Sequence, residues 1–536
     1  MKSSIKKSKQ MLGLLAGLLF LATACQKDDI IVTALSLDKT NAVVEVGATL
    51  SLVHFITPGD ATNQNIVWRS TNEAVATVTE GIVTGVSLGT TSVKAISQSD
   101  TTVQAICEIN IIPSTGSVYT VTGDITADTK WYGNVKYLLS GFVYVKNNAT
   151  LTIEPGTVIK GVSGTKASLI IEKGSKIMAA GTATSPIVFT SDKPKGQRGY
   201  GDWGGLVICG QAPTNKHDGG ITGNGVAEGG IGSTYGGTNP NDNSGILQYV
   251  RIEFPGIGLT ATANSEINGL TLYSVGSGTT IDHIQVSYSG DDSYEWFGGT
   301  VNMKYLVALR GWDDDFDTDN GYNGKIQFFV CLRDPASADQ SESNGFESDN
   351  DSDGSTLSPF TSPVFVNGTV IGPLATPTTT IHVKYGHAIQ LRRGTRTSIY
   401  NTVFAGWPKG LYIDGQRGDS PTQATTNVLQ VEKSVMSGMT TNYITTYLAT
   451  TESWYLDATR GNEIKATNDL LQLTSPFALT SPNFLPAAGS PLLTGASFTN
   501  TRLTDTFFTS VTYKGAFGTT DWTSGWCNFD PQNTDY

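Results

Sequence analysis

Residues 287–309 read SYSGDDSYEWFGGTVNMKYLVAL, and residues 310–330 continue RGWDDDFDTDNGYNGKIQFFV. One pattern occurs twice here. Asp291-Asp292-Ser293-Tyr294-Glu295 aligns on Asp313-Asp314-Asp315-Phe316-Asp317 at an offset of 22, and Gly299 falls on Gly321. Gly345-Phe346-Glu347 reads as a third copy. A short strand recurring every 20–30 residues is the mark of a solenoid, in which each coil stacks on the last. An aromatic at the same place in successive coils is expected to stack inward. The acid beside it must then point outward, because strand neighbours face opposite ways. The expectation is an outward column of carboxylates: Glu295, Asp317 and Glu347.

The same punctuation extends in both directions. Very short apolar strands, each stopped by Gly, Asn or Asp, recur as Phe142–Val145, Thr150–Ile153, Ser168–Ile171, Ile187–Phe189, Leu206–Ile208, Leu270–Leu272 and Ile399–Phe404. The segments VYVKNNATLTIEPGTVIKG, SLIIEKGSKIMAAGTATSPIVFTSD and GDWGGLVICG resemble right-handed parallel β-helix surface proteins related to pectate-lyase-like solenoids. SPNFLPAAGSPLL and YKGAFGTTDWTSGWCNFDP are similar to the end of that family, which implies one β-helix domain over 118–536. Gly-rich 200–245 and polar 334–363 are expected to be excursions from the coil. Residues 443–473, with weak helical periodicity, are expected to cap the open C-terminal end.

Residues 33–112 carry a different rhythm. Alternating runs such as Ala34–Leu37, Val43–Val46, Ile66–Trp68 and Thr91–Ile96 are separated by turn residues every 8–12 positions, the pattern of an antiparallel β-sandwich. LSLDKTNAVVEVGATLSL and GIVTGVSLGTTSVKA resemble the bacterial Ig-like group 2 domain, which implies a spacer or adhesion module without chemistry of its own. Trp68 is expected in its core, Cys107 as a buried free thiol and His54 as structural. The fold class is therefore all-β: an N-terminal Ig-like β-sandwich followed by a right-handed parallel β-helix.

The first 24 residues are an address. Four lysines precede the apolar run MLGLLAGLLFL, and Ala22-Thr23-Ala24 lead to Cys25. Basic, apolar and small-residue regions in that order make a secretory signal. The site resembles a bacterial lipobox, with Cys25 as the acylated residue. Gln26-Lys27-Asp28-Asp29 resembles a Bacteroidota lipoprotein export signal, which implies a lipid-anchored protein on the outer face of the outer membrane. Residues 25–32 then form the linker.

The chain has 536 residues, 60 Gly, 15% charged residues and a formal charge of −12. So few charges and so many turn formers argue against coiled coils and helical bundles. The acidic balance excludes a nucleic-acid partner. Five widely spaced cysteines with no CxxC pair argue against a thiolate metal site and leave any pairing among Cys107, Cys209, Cys331 and Cys527 open.

Chemistry is sought in the acid-rich stretches. Asp349-Asn350-Asp351-Ser352-Asp353-Gly354 matches the first half of an EF-hand-type calcium loop, but its twelfth position is Phe360. Asp315, Asp317 and Asp319 form a looser version. These six aspartates are the expected calcium ligands. Asp314, Asp317, Glu295 and Glu347, with Arg310 and Arg333 nearby, are the candidates for catalysis: the resemblance to pectate-lyase-like β-helices implies calcium, clustered carboxylates and a basic side chain, and paired carboxylates also suit glycoside hydrolysis. Trp296, Trp312 and Trp407 are candidates for a sugar platform. Two readings stay open. One is non-catalytic binding or adhesion toward a glycan or an outer-membrane partner. The other is a polysaccharide lyase or glycoside hydrolase acting at the same ridge.

Overall fold

The computed structural model describes residues 28–218, 223–258 and 266–536. Cys25, Gln26 and Lys27 lie outside these; Asp28 and Asp29 lie at their exposed beginning. The chain divides into two compact units between Ser114 and Thr115.

The first unit is a β-sandwich. One sheet runs Asn41–Glu45, Gln104–Ile112, Gly89–Ser97, Ile66–Ser70, and the other Thr49–Ser51, Ile82–Gly85, Ala76–Thr79. Alternation along each strand aims Val44, Val83, Val93, Cys107, Ile109 and Ile111 into the core. Trp68 is not a fully buried core residue as expected. It packs against the core from its margin, with the His54 ring edge-on at 6.0 Å.

The second unit is a parallel β-helix. Its strands form a seventeen-stranded and a ten-stranded sheet in which every pairing is parallel. The longer sheet bends within single strands. Gly245–Glu253, Thr280–Ser287, Met303–Leu309 and Lys325–Leu332 each pass through one left-handed residue: Tyr249 (φ 49), His283 (φ 53), Tyr305 (φ 59) and Phe328 (φ 62). That conformation is unusual for bulky side chains. Here it repeats in register, and the rings stack at 4.3, 4.3 and 5.2 Å. His283 is thus a rung of a corner ladder. A second corner stacks Phe254 on Tyr288 at 5.1 Å, with the Arg310 guanidinium 4.7 Å over Tyr288.

The ten-stranded sheet carries the repeat seen in sequence. Tyr294–Phe297 pairs with Phe316–Asp319, which pairs with Phe346–Ser348. Tyr294, Phe316 and Phe346 point inward and stack at 5.7 and 5.3 Å. Trp296 follows the same parity. It is fully buried, parallel to Tyr322 at 5.4 Å. Trp407 is fully buried as well, edge-on to Tyr385. Neither can serve the expected sugar platform: two residues on from an inward aromatic, a strand side chain is again inward.

The excursions differ from expectation. Gly205–Cys209, inside the expected 200–245 loop, is a buried strand of the ten-stranded sheet. The excursion starts after it and lays Ala227, Ile231 and Tyr235 over Ile170, Val207, Tyr273 and Phe297 on the sheet's outer face. The expected 334–363 loop is likewise interrupted by the strand Phe346–Ser348. At the C-terminal end Leu448, Trp454 and Tyr455 join the interior core. The last residues fold back along the long sheet, where Phe484, Leu492, Phe517 and Trp526 cover Val307, Val330 and Val403.

Candidate functional site

Parallel register sets Glu295 beside Asp317 and Asp317 beside Glu347. The three form an outward column, with Thr271 before it and Gln390 after it. Two corners feed further acids into the same place. Asp291 and Asp292 precede one strand of the repeat, and Asp313 and Asp314 precede the next. Their carboxylates form three groups whose oxygens lie within 4.8 Å of one another: Asp291 with Asp292 and Asp313, Asp292 with Glu295 and Asp317, and Asp314 with Asp317 and Glu347. Shared members make this one chain of seven carboxylates.

Hydrogen bonds fix several of these oxygens. Asp292 Oδ1 accepts the Asp314 amide at 2.8 Å, and Asp314 Oδ1 accepts the Asn344 amide at 2.5 Å. The Ser341 hydroxyl donates to Asp313 at 2.9 Å, and the Asn268 amide donates to Glu295. Arg392 is paired with Glu347. Among the described residues no basic side chain forms an ion pair with the other six. Burial, followed by the neighbouring carboxylates, raises Asp291, Asp292, Asp313, Glu295 and Asp317 well above the usual carboxylate range. Asp314, raised by burial against a backbone hydrogen bond and two arginines, is pushed up to about 6. Asp313 Oδ1 and Asp317 Oδ1 are buried with no hydrogen-bond partner. Oxygens crowded this closely hold either shared protons or a cation. Carboxylate oxygens in this number match the oxygen shell of a hard divalent ion, so the residues present fit calcium.

Five of the six expected calcium ligands are elsewhere. Asp349 is held by Arg392 at 2.8 Å and by Arg393 at 2.5 Å. Asp351 closes a turn on the amides of Asp353 and Ser355, each at 3.0 Å, and Asp353 is exposed. Asp315 is fully buried in an ion pair with Arg333 at 3.0 Å. Asp319 accepts the Asn320 amide at 2.6 Å. Only Asp317 belongs to the cluster. The EF-hand-like spacing fails because these strands and turns point alternate carboxylates at different partners.

The catalytic candidates divide the same way. Asp314, Asp317, Glu295 and Glu347 converge; Arg310 and Arg333 do not reach them. Arg310 occupies the corner stack and pairs with Asp334. Arg333 is fully buried and also donates to the Asp313 and Trp312 carbonyls. Trp312 is 39% exposed and adjoins Asp313, 5.4 Å from the Tyr200 ring. It alone of the three tryptophans is open to a ligand. Reading the residues as single candidates missed Asp291, Asp292 and Asp313 as site members, although the 22-residue alignment already superposed the two Asp pairs.

A family model for the pectate-lyase-like β-helix domain matches residues 123–474. The chain belongs to this β-helix family. A second model, for the bacterial Ig-like domain (group 2), matches residues 31–109, so the pectate-lyase-like β-helix follows an Ig-like domain. A curated protein, 3-O-alpha-D-galactosyl-alpha-L-arabinofuranosidase of Bifidobacterium longum subsp. longum, is 38% identical over 71 residues. The match covers 13% of this chain and 6% of that protein, so the chain spans a small fraction of that relative's length.

Proposed function

We propose that this protein is an outer-membrane lipoprotein that displays a non-catalytic, carbohydrate-binding β-helix on an Ig-like stalk, with calcium held in the carboxylate chain. The observation that carries the reading is the convergence of seven carboxylates with one arginine at their margin. Calcium would be held by Asp291, Asp292 and Asp313 beside Trp312, and by Asp317 with its neighbours. A bound divalent ion supplies a charge to which vicinal sugar hydroxyls or a uronate can add as ligands. Trp312 offers an apolar face at the margin for the same sugar.

A lyase or hydrolase at the same ridge is the second reading, favoured by the family and by the name of the Bifidobacterium relative. Two observations weigh toward binding. Arg392, the arginine nearest the column, is committed to Glu347 and Asp349. Asp292 and Asp314 are buried.

The deciding experiment takes the purified protein with and without calcium. A glycan array reports binding, and unsaturated uronate and reducing ends report cleavage. Calcium-dependent array signal without product is the expected result. Product release that is lost in Asp317→Asn would establish the enzyme instead.

A further inference from the structure

The Ig-like unit holds a cleft of its own, where three strand edges meet. Among the described residues, His54–Thr57 pairs only with Ala34–Leu37, Ile66–Ser70 only with Gly89–Ser97, and Ala76–Thr79 only with Ile82–Gly85. Parity along Ile66–Ser70 turns Ile66 and Trp68 inward, yet both stay half-buried because the sandwich is open at these edges. The opening measures about 480 Å³, and His54, Gln64, Asn65, Trp68 and Glu80 line it. The indole is fixed in place: a Cβ at Gly81 would come within 3.0 Å of Trp68 Cζ2, and the His54 ring stands edge-on to it. Among the described residues neither the Trp68 indole N–H nor the His54 ring nitrogens have a hydrogen-bond partner, and none of these atoms is shut off from solvent. Asn65 and Glu80 are exposed, with side chains likewise unpaired among the described residues. Gln64 donates its amide N–H groups to the Gly59 and Ala61 carbonyls, at 2.8 and 3.2 Å, and keeps its oxygen free.

Accessible donors and acceptors therefore stand side by side around one aromatic ring. An ammonium only donates and a carboxylate only accepts, so each would match half of this rim. A hydroxyl does both. Among the described residues no Lys or Arg lines the opening, and Glu80 repels anions. The volume falls within the roughly 300–1,000 Å³ of small-ligand sites. The C–H face of a pyranose matches the indole face, and its ring hydroxyls match the rim. We propose that this cleft binds one neutral pyranose residue, stacked on Trp68 with its hydroxyls held by Gln64, Asn65 and Glu80. The Ig-like unit is then a sugar-binding module in its own right, and it needs neither a metal nor the carboxylate column.

The test uses the full chain carrying 5-fluorotryptophan, with the Trp68 fluorine resonance assigned by Trp68→Phe. Methyl glycosides of glucose, galactose, mannose and N-acetylglucosamine are titrated in chelator, with galacturonate as the anionic arm and tetramethylammonium as the cationic arm. At least one neutral glycoside should shift the Trp68 resonance saturably, with a Kd of about millimolar order. Asn65→Ala combined with Glu80→Gln, both at exposed positions, should weaken that binding about tenfold or more while the other fluorotryptophan resonances stay in place. No saturable shift from any neutral glycoside, a shift from galacturonate or tetramethylammonium alone, or binding that survives the double variant undiminished overturns the proposal.

Discussion

Asp317 is shared by two of the three carboxylate groups, and one of its oxygens is buried without a partner. With chelator, Asp317→Asn should raise the melting temperature, because it removes a like charge from a buried cluster. With calcium, the same change should weaken the ion's affinity about tenfold or more, read by calorimetry. The tryptophans separate just as sharply. Trp296→Ala opens the interior and should cost about 3–5 kcal/mol in denaturant unfolding. Trp312→Ala, at a partly exposed site, should leave stability nearly unchanged and lower glycan-array signal. Cys25→Ala should abolish metabolic labelling with palmitate and release the protein from the membrane fraction.

At the scale of the element, the unit is a rung. Three successive coils repeat an inward aromatic and an outward acid, so stacking for packing reasons brings carboxylates together whether or not they are ionised. Burial raises their pKa above the unfolded value of about 3.9 for Asp. A group raised in this way binds more protons folded than unfolded, so stability falls as pH rises through its window. For Asp314 and Asp319 that window runs from about 4 up to about 6, and Asp317 and Glu295 are raised well above their usual range in the same direction. In chelator the melting temperature should therefore drop as pH rises from about 4 through about 6. Calcium should flatten the profile and stabilise most at the alkaline end. A chelator-independent, flat profile would count against the ion. In the buried pair Asp315–Arg333, losing either partner leaves an uncompensated charge and should cost about 3–5 kcal/mol, whereas replacing both by apolar side chains should recover most of it.

For the whole molecule, the C-terminal segment is the element with the widest reach. Arg198 donates to the Pro531 and Thr534 carbonyls, at 2.7 and 2.9 Å. Gln285 donates to the Asn528 carbonyl at 2.7 Å and accepts its amide at 2.8 Å. Phe517 and Trp526 seal apolar residues on the outside of the long sheet. Ending the chain after Ser475 uncovers that strip. The truncated protein should bind a hydrophobic dye and aggregate even though the coils themselves are complete.

The sequence by itself determined the solenoid, the Ig-like module before it and the register of Glu295 on Asp317 on Glu347. These follow from local strand parity and from a repeat that any alignment of the chain on itself displays. Parity also implied that Trp296 shares the inward face of Tyr294; treating tryptophan as a surface platform set that implication aside. Tertiary structure decided which acids are free to act. Asp315 and Asp349 are indistinguishable in sequence from Asp313 and Asp317, but their partners Arg333 and Arg392 come from other coils, while Asp351 is spent on its own turn at Ser355. Whether a carboxylate meets an arginine, an amide or another carboxylate depends on what stacks above it, and stacking is a property of the assembled coil.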